Sequence, residues 1–482
     1  MSTPVADTAP RVSPELAARI DAIFDSQMTH RYGVMRTTVR ERRAKLRKLL
    51  SSVYGHRDAL KDALFKDYHK PAPEVDMTET VVTTAEIKHT IRHLRRWMKP
   101  QRVRPTLATL TTHSAIHYQP KGVVLIMGPW NYPFHLLLNP LASAIAAGNC
   151  AILKPSEFTP HTTSVIQSII REVFTPDEVA VVEGGVEVAQ YLLSKPFHHV
   201  FFTGSPGVGR KVMAAAAEHL TSVTLELGGK SPLILDDSAS FQDAADKIAW
   251  GKFSNNGQTC IAPDYLLVPE SRRDAFVELL KAAIDYRFGP LESLPDSPDY
   301  ARIISDAHFQ RLNGLLEDAL QDGARIVYGG QQAPARRYIA PTLLVDVSRE
   351  SRIMKEEIFG PLLPILTYRS LDEAIAFING GDKPLALYLF SGRRSVNRKV
   401  LSETQFGGGC INDIFLHYFH ANLPFGGDST SGFGKSHGFF GFQAFSNARG
   451  ILHHHRFNPV KLMYPPYTRF SRWLIDLGVR YL

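Results

Sequence analysis

Along the first hundred residues the apolar positions recur with a helical period, as in Leu46, Leu49, Leu50 and Val53, while further on they gather into short unbroken runs. From Pro14 to about Lys99 the pattern predicts helices, with a break at Lys70-Pro71-Ala72-Pro73 and a stop at Pro100. Residues 1 to about 14 read as a loose leader. Leu107 to Tyr118, richer in Thr, Ile and Tyr, reads as extended. The character then changes: Val123–Met127 is a short all-apolar strand, Phe134–Ala147 a helix, Cys150–Leu153 a strand, Thr162–Phe174 a helix and Val179–Val182 a strand. Val186–Ser194 is a helix, and the strand Val200–Phe202 enters Gly204-Ser205-Pro206-Gly207-Val208-Gly209. Short apolar strands alternating with helices predict a doubly wound parallel sheet, whose ligands sit beyond the carboxyl ends of the strands.

A second α/β unit follows from Ser231. Strands are expected at Leu233–Leu235, Leu266–Val268 and Leu362–Leu366, and helices at Ala244–Trp250, Arg272–Ile284 and His308–Leu320, with a Pro- and Asp-rich loop over Leu291–Asp299. At the C-terminus Phe470, Trp473, Leu474, Leu477 and Tyr481 form one helical stripe, and Arg472, Asp476 and Arg480 recur on another face. The segment is too short and too charged to span a membrane. It is expected to dock on its own subunit or a partner, the other reading being a helix lying on a membrane surface.

Composition narrows the class. The chain has 482 residues, 44% hydrophobic and 21% charged, enough for two or three globular domains. Its net charge of +8 suggests a nucleic-acid partner, but the basic run Arg40 to Lys45 lies among Leu46, Leu49, Leu50 and Val53 and reads as the solvated face of an amphipathic helix. No nucleic-acid-binding signature accompanies the charge. Cys150, Cys260 and Cys410 lie far apart with no CxxC pair, so neither a disulfide framework nor a cysteine zinc site is expected, and a reducing, cytoplasmic location is. Met1 to Arg11 lacks the apolar core of a signal peptide. No stretch offers the roughly 20 apolar residues of a spanning helix. His453-His454-His455 cannot all face one metal from a strand, and no metal is expected.

Candidate chemistry concentrates between Thr224 and Cys260. The stretch opens with Leu225-Glu226-Leu227-Gly228-Gly229-Lys230 and closes with Asn256-Gly257-Gln258-Thr259-Cys260. From residue chemistry alone Cys260 is either an activated nucleophile or a small buried thiol. The Gly204–Gly209 run contains GxxGxG rather than GxGxxG. It reads either as a tight turn or as a strand-to-helix junction offering N–H groups to a pyrophosphate.

ELGGK followed by GQTC, with Glu226 and Cys260 34 positions apart, resembles the aldehyde dehydrogenase superfamily. Further landmarks fall in family order: Pro129-Trp130-Asn131-Tyr132-Pro133, Lys154-Pro155-Ser156-Glu157, Phe202-Thr203-Gly204-Ser205, Glu356-Glu357-Ile358-Phe359-Gly360-Pro361 and Pro424-Phe425-Gly426-Gly427. Together they cover roughly residues 30 to 455. Within the superfamily the chain is most similar to the class 3 branch, and there to bacterial coniferyl-aldehyde dehydrogenases.

The resemblance implies an α/β fold with a Rossmann-like parallel-sheet cofactor domain, an α/β catalytic domain and a small β oligomerisation element. It divides the chain into residues 1–99 and 119–227 for cofactor binding, 228–416 for catalysis, 100–118 and 417–458 for bridging, and 459–482 as a tail. The implied reaction is NAD(P)-dependent oxidation of an aldehyde to its acid through a cysteine thiohemiacetal and a thioester. Cys260 would be the nucleophile, its thiol activated by local donors and the cofactor's charge. Asn131 would supply an oxyanion donor beside the Cys260 N–H, and Glu226 would be the base, its pKa raised, with Glu357 as a competing candidate. Trp130, Lys154, Glu157, Gly204, Ser205, Gly209, Leu227, Glu357 and Phe359 would hold the dinucleotide. A carboxylate at Glu157 favours NAD, with NADP tolerated. Tyr132, Phe419 and Phe425 would line a tunnel for an aromatic or medium-chain aliphatic aldehyde, widened at its entrance by Ser254. A homodimer is implied by analogy. The alternatives are a thiol esterase that uses Cys260 and Glu226 without redox chemistry, and a non-catalytic binding protein on the same fold.

Overall fold

Val123–Met127 is buried along its whole length, because helices cover both faces of the sheet it centres, and this is why it reads as an unbroken apolar run. The computed structural model describes residues 12–106, 109, 112–454 and 459–481. Most of the leader, residues 107, 108, 110 and 111 of the extended stretch, and His455 lie outside the described residues.

The first sheet has six strands in the order Gly432–Phe433, Ser222–Leu227, His199–Gly204, Val123–Met127, Cys150–Lys154, Val179–Val181. All neighbours are parallel except the Gly432–Phe433 edge, which pairs antiparallel and sets Gly432 opposite Glu226. Chain order reverses between Val123–Met127 and His199–Gly204. The crevice at such a reversal is where doubly wound sheets take their ligands. The second sheet has seven strands, in the order Arg325–Tyr328, Thr342–Val345, Leu362–Tyr368, Tyr265–Pro269, Pro232–Leu235, Ala386–Phe390, Gly408–Ile411, parallel but for its first. A third, antiparallel sheet orders Gln101–Val103, Thr112–Pro120 and Ser446–His454, with the last strand at its edge and largely exposed. These are the three layers expected of the fold class. Residues 417–445 do not enter the third sheet, however: Gly432–Phe433 joins the first, and the helix Gly438–Ala444 buries Phe442 in the core shared with helix His135–Ala147.

The N-terminal helices begin where capping predicts. Ser13 caps Pro14–Met35, and Thr38 with Glu41 forms a reciprocal capping box for Val39–Gly55. One member of the basic run is not on a solvated face. Arg42 is 4% exposed, and donates to the Ala146 carbonyl at 2.9 Å and the Met35 carbonyl at 3.0 Å. Its guanidinium fills the space beside Gly148, which ends helix His135–Ala147 with φ +92°, so the charge sits at a helix carboxyl terminus where it is favoured.

The C-terminal helix Arg469–Tyr481 forms as its periodicity predicts, with Phe470 stacked on Trp473. Phe470, Trp473, Leu477 and Tyr481 are exposed, so of the two docking sites expected for this stripe, its own subunit does not cover these residues. Among the described residues no helix is long and apolar enough to cross a membrane, and no cluster of ligating side chains could hold a metal ion.

Candidate active site

Cys260 follows a turn that its own side-chain amides hold in place. Asn255, Asn256 and Gly257 are all left-handed, at φ +52°, +54° and +70°, a conformation Asn tolerates better than most residues. Gly257 is required there, because a Cβ would come 2.3 Å from the Gly360 carbonyl oxygen. Asn255 donates to the carbonyls of Asn131 and Gln258, Asn256 to that of Ala301, and Gln258 to those of Asn255 and Arg302, all within 3.2 Å. Asn131, which follows the Val123–Met127 strand, donates its amide to the Gln258 carbonyl at 3.0 Å. Tyr132 shares a 2.7 Å hydrogen bond with Thr259.

Beneath Tyr132 lies an ion pair that the sequence did not announce. Lys70 and Glu79 are fully buried and 3.3 Å apart. The Lys70 ammonium also sits 4.0 Å from the centre of the Tyr132 ring, and Glu79 accepts from the His135 N–H at 2.8 Å. Lysine before proline in Lys70-Pro71 signals a helix break and nothing about a partner nine residues on.

Two carboxylates converge on the thiol. Glu226 ends the Ser222–Leu227 strand, is 5% exposed and accepts from the Ser436 hydroxyl. Burial pushes its carboxyl up to about 7, against the pull of Ser436 and Lys435. Glu357 fills the space beside Gly228, where a Cβ would meet its oxygen at 2.0 Å. Burial and Asp264 push it up to about 8. The Cys260 thiol is itself raised by burial, then by Glu357 and Glu226, and the N–H groups of Cys260 and Ile261 only partly oppose this. The local donors expected to activate the thiol are therefore outweighed, and at rest it holds its proton.

Two compartments meet at Cys260. One is a cleft of about 970 Å³ at the sheet's reversal point, lined by Trp130, Asn131, Gly204, Ser205, Glu226, Leu227, Glu357 and Phe359 among others. Its features suit a dinucleotide. Ser205 caps helix Pro206–Ala217 by accepting from the Val208 N–H, which leaves the Gly207 N–H at the helix's amino end, and the buried Thr203 hydroxyl in the cleft wall has no protein partner. Phe359 is held at φ +52° with its carbonyl bonded to His308 at 2.9 Å, and its ring meets Trp130 edge-on. Lys154 and Glu157 do not line this cleft. They pair with each other at 3.3 Å at the carboxyl end of the Cys150–Lys154 strand. Gly209 lies outside it too: a Cβ would strike Leu227 at 2.6 Å, so this glycine lets its helix pack closely on the sheet.

The other compartment is a narrow pocket of about 50 Å³, walled by Tyr132, Trp250, Phe415, Tyr418 and Phe419 with Ser254 and Thr259. Phe425 is not part of it. That ring is 3% exposed, edge-on to Tyr418 at 4.7 Å and stacked on His437 at 5.1 Å, so it supports the wall from behind. Trp250, Phe415 and Tyr418 escaped notice in the sequence because aromatic residues on helices and loops look the same whether they fill a core or face a pocket.

A profile of the aldehyde dehydrogenase family matches residues 7–451. The chain is 44% identical over 431 residues to the 4,4'-diaponeurosporen-aldehyde dehydrogenase of Staphylococcus aureus, covering 89% of this chain and 91% of that one. It is 44% identical over 447 residues to aldehyde dehydrogenase family 3 member B1 of Rattus norvegicus, covering 92% and 94%. Among solved structures it resembles the substrate-bound state of Staphylococcus aureus AldH, at 42% identity with a TM-score of 0.91, covering 95% of this chain and 99% of that one.

Proposed function

The chain belongs to the aldehyde dehydrogenase family, in its class 3-like branch, and from that premise we propose that it oxidises an apolar aldehyde, aromatic such as coniferyl aldehyde or medium-chain aliphatic, with Cys260 as nucleophile. As a family member it is an NAD(P)+-dependent oxidoreductase that works through a catalytic cysteine. The observation that carries the proposal is the position of Cys260, which lines both the apolar pocket and the dinucleotide-sized cleft. The relative named for diaponeurosporen-aldehyde also supports an apolar substrate.

A carbonyl carbon can release hydride only after it becomes tetrahedral. Cys260 supplies the sulfur that makes it so, and gives its proton to Glu226 as the C–S bond forms. The Asn131 amide and the Cys260 N–H receive the charge that develops on oxygen. The bound nicotinamide supplies the hydride acceptor. Glu226, ionised again, then takes a proton from the water that attacks the thioester, the C–S bond breaks with its electron pair on sulfur, and the acid departs. Glu357, close by and also raised, is the second candidate for this base.

Trp130, Gly204, Ser205, Leu227, Glu357 and Phe359 would bind the dinucleotide directly. Lys154 and Glu157 would meet its adenosine end, where a carboxylate accepts from both ribose hydroxyls and repels a 2′-phosphate, favouring NAD over NADP. We assign residues 1–99 and 119–227 to the cofactor domain and 228–416 to the catalytic domain. The largely exposed edge strand Ser446–His454 supports a homodimer, since the edge of a sheet is a template on which a second copy can add a strand. The free cysteines fit a cytoplasmic location.

The test is a panel of aliphatic and aromatic aldehydes assayed with each dinucleotide. Higher kcat/KM for aromatic or medium-chain substrates than for acetaldehyde, and for NAD than for NADP, is the expected result. A preference for small polar aldehydes would overturn the substrate reading.

A further inference from the structure

Ser436, His437 and Gly438 form a short segment that holds one buried carboxylate at each end. The Ser436 hydroxyl donates to Glu226, and the Gly438 N–H donates to Glu86 at 2.8 Å. The backbone between them is constrained. His437 has φ +73°, rare for a residue with a side chain, and a Cβ at Gly438 would come 2.1 Å from the Ala421 carbonyl oxygen. Glu86, Glu226 and Ser436 line one small cavity of about 10 Å³, room for roughly a single water. Asn139 in its wall is 7% exposed and its side-chain oxygen has no protein partner, the mark of a position where water completes the bonding.

Glu86 has no part in the chemistry described so far. It lies on helix Val81–Trp97, is 6% exposed, and burial pushes its carboxyl up to about 7 with only the Gly438 N–H opposing. Burial raises Glu86 and Glu226 in the same direction, so each can take up a proton at neutral pH. The other titratable groups facing the cavity do not serve. Burial holds His437 down at about 3, where it stays neutral, and raises the Tyr418 phenol well above its ordinary value; the His135 imidazole lies 3.2 Å from the Glu79 carboxylate, and Lys435 stands on the Glu226 side.

Resting on the reading of Glu226 as the base, we propose that Glu86 empties Glu226 between the two halves of the cycle, receiving through the Ser436 hydroxyl and one cavity water the proton that Cys260 gives up. The carboxylic O–H of Glu226 donates to the Ser436 oxygen, which passes its own proton to the water, and the water passes one on to the Glu86 carboxylate. No bond other than O–H changes and nothing is oxidised or reduced. His89, three residues along the same helix and partly exposed, borders Gly438 and marks the side on which the proton would leave to solvent. Glu86 never meets the substrate; it acts through Glu226.

The experiment follows acyl-enzyme formation and decay in the full-length protein, with NAD and a good aldehyde substrate, by rapid quench and intact mass across pH. Glu86→Gln keeps the Gly438 bond and should form the acyl-enzyme at the wild-type rate while slowing its decay about tenfold at neutral pH. The deficit should shrink as pH rises past the Glu226 titration near 7, because solvent then strips that proton unaided. A merely structural defect would slow decay by one factor at every pH. Ser436→Ala should slow decay likewise, and the double variant should be no slower than the worse single one, which keeps the idea testable if Glu86→Gln folds poorly. Wild-type decay at all pH values in Glu86→Gln, with decay blocked in Glu226→Gln, overturns the relay alone. Unimpaired decay in Glu226→Gln overturns the base assignment and the relay with it.

Discussion

The side-chain amide of Asn131 donates to the main-chain carbonyl of Gln258 at 3.0 Å, which ties the proposed oxyanion donor to the turn that carries Cys260. In the proposed mechanism that bond would hold donor and sulfur in one arrangement. The geometry proposed to meet the charge developing on the substrate oxygen would then be set before the substrate arrives.

Asn131→Ala should lower kcat/KM by about 10²–10³, the usual effect of losing one such donor. Steady-state kinetics with a good aldehyde measures it. A change below about threefold would remove Asn131 from the oxyanion site.

Cys260→Ala should abolish NADH production while dinucleotide affinity, read by fluorescence titration, stays close to wild type. The cleft wall contributed by Trp130, Ser205 and Phe359 does not depend on the sulfur. Retained turnover would refute the nucleophile.

Glu226 must be ionised to act on water, and burial raises it to about 7. Thioester hydrolysis should rise with pH through that value and level off above it. Glu226→Gln should lose the rise and slow hydrolysis by about 10²–10⁴. If hydrolysis in that variant keeps both its rate and its pH dependence, the base is Glu357.

Lys70 and Glu79 are both fully buried. Burial pushes the Glu79 carboxyl up, but Lys70 and His135 more than offset this and leave it below its ordinary value. Lys70→Met strands that charge and should destabilise the fold by about 3–5 kcal/mol, read as a denaturation midpoint. Lys70→Met combined with Glu79→Gln should recover much of the loss, since the neutral pair has no charge left unpaired. Equal instability of the single and double variants would mean that the pair's packing, not its charge, is what matters.

Glu86, Glu226 and Glu357 titrate near 7, 7 and 8, against 4.5 for an ordinary glutamate. Each binds a proton more tightly folded than unfolded, so its stabilising contribution is complete below the unfolded value and is lost as pH rises through the folded one. The melting temperature should fall as pH climbs from about 5 to about 8. Glu86→Gln, with one such group fewer, should fall less. Parallel curves for the two proteins would contradict a buried, protonatable Glu86.

By itself the chain's local pattern determined a good deal. Unbroken apolar runs such as Val123–Met127 mark strands covered on both faces, and their alternation with helices fixes the doubly wound sheet, because period and run length depend on neighbours only a few residues away. The spaced motifs around Glu226 and Cys260 likewise pointed to the groups that the fold brings to one crevice. Tertiary structure decided what depends on distant partners. Arg42 is buried rather than solvated because the end of helix His135–Ala147 comes to meet it, and Phe425 backs the wall of the narrow pocket rather than forming it because Tyr418 stands in front. Gly209 serves packing against Leu227, not the cleft. Glu86 meets Gly438 across 352 positions of chain, and Glu226 meets Ser436 across 210. The pKa of a carboxylate is set by the water it loses and the dipoles it gains, and both are properties of the packed interior that no local period records.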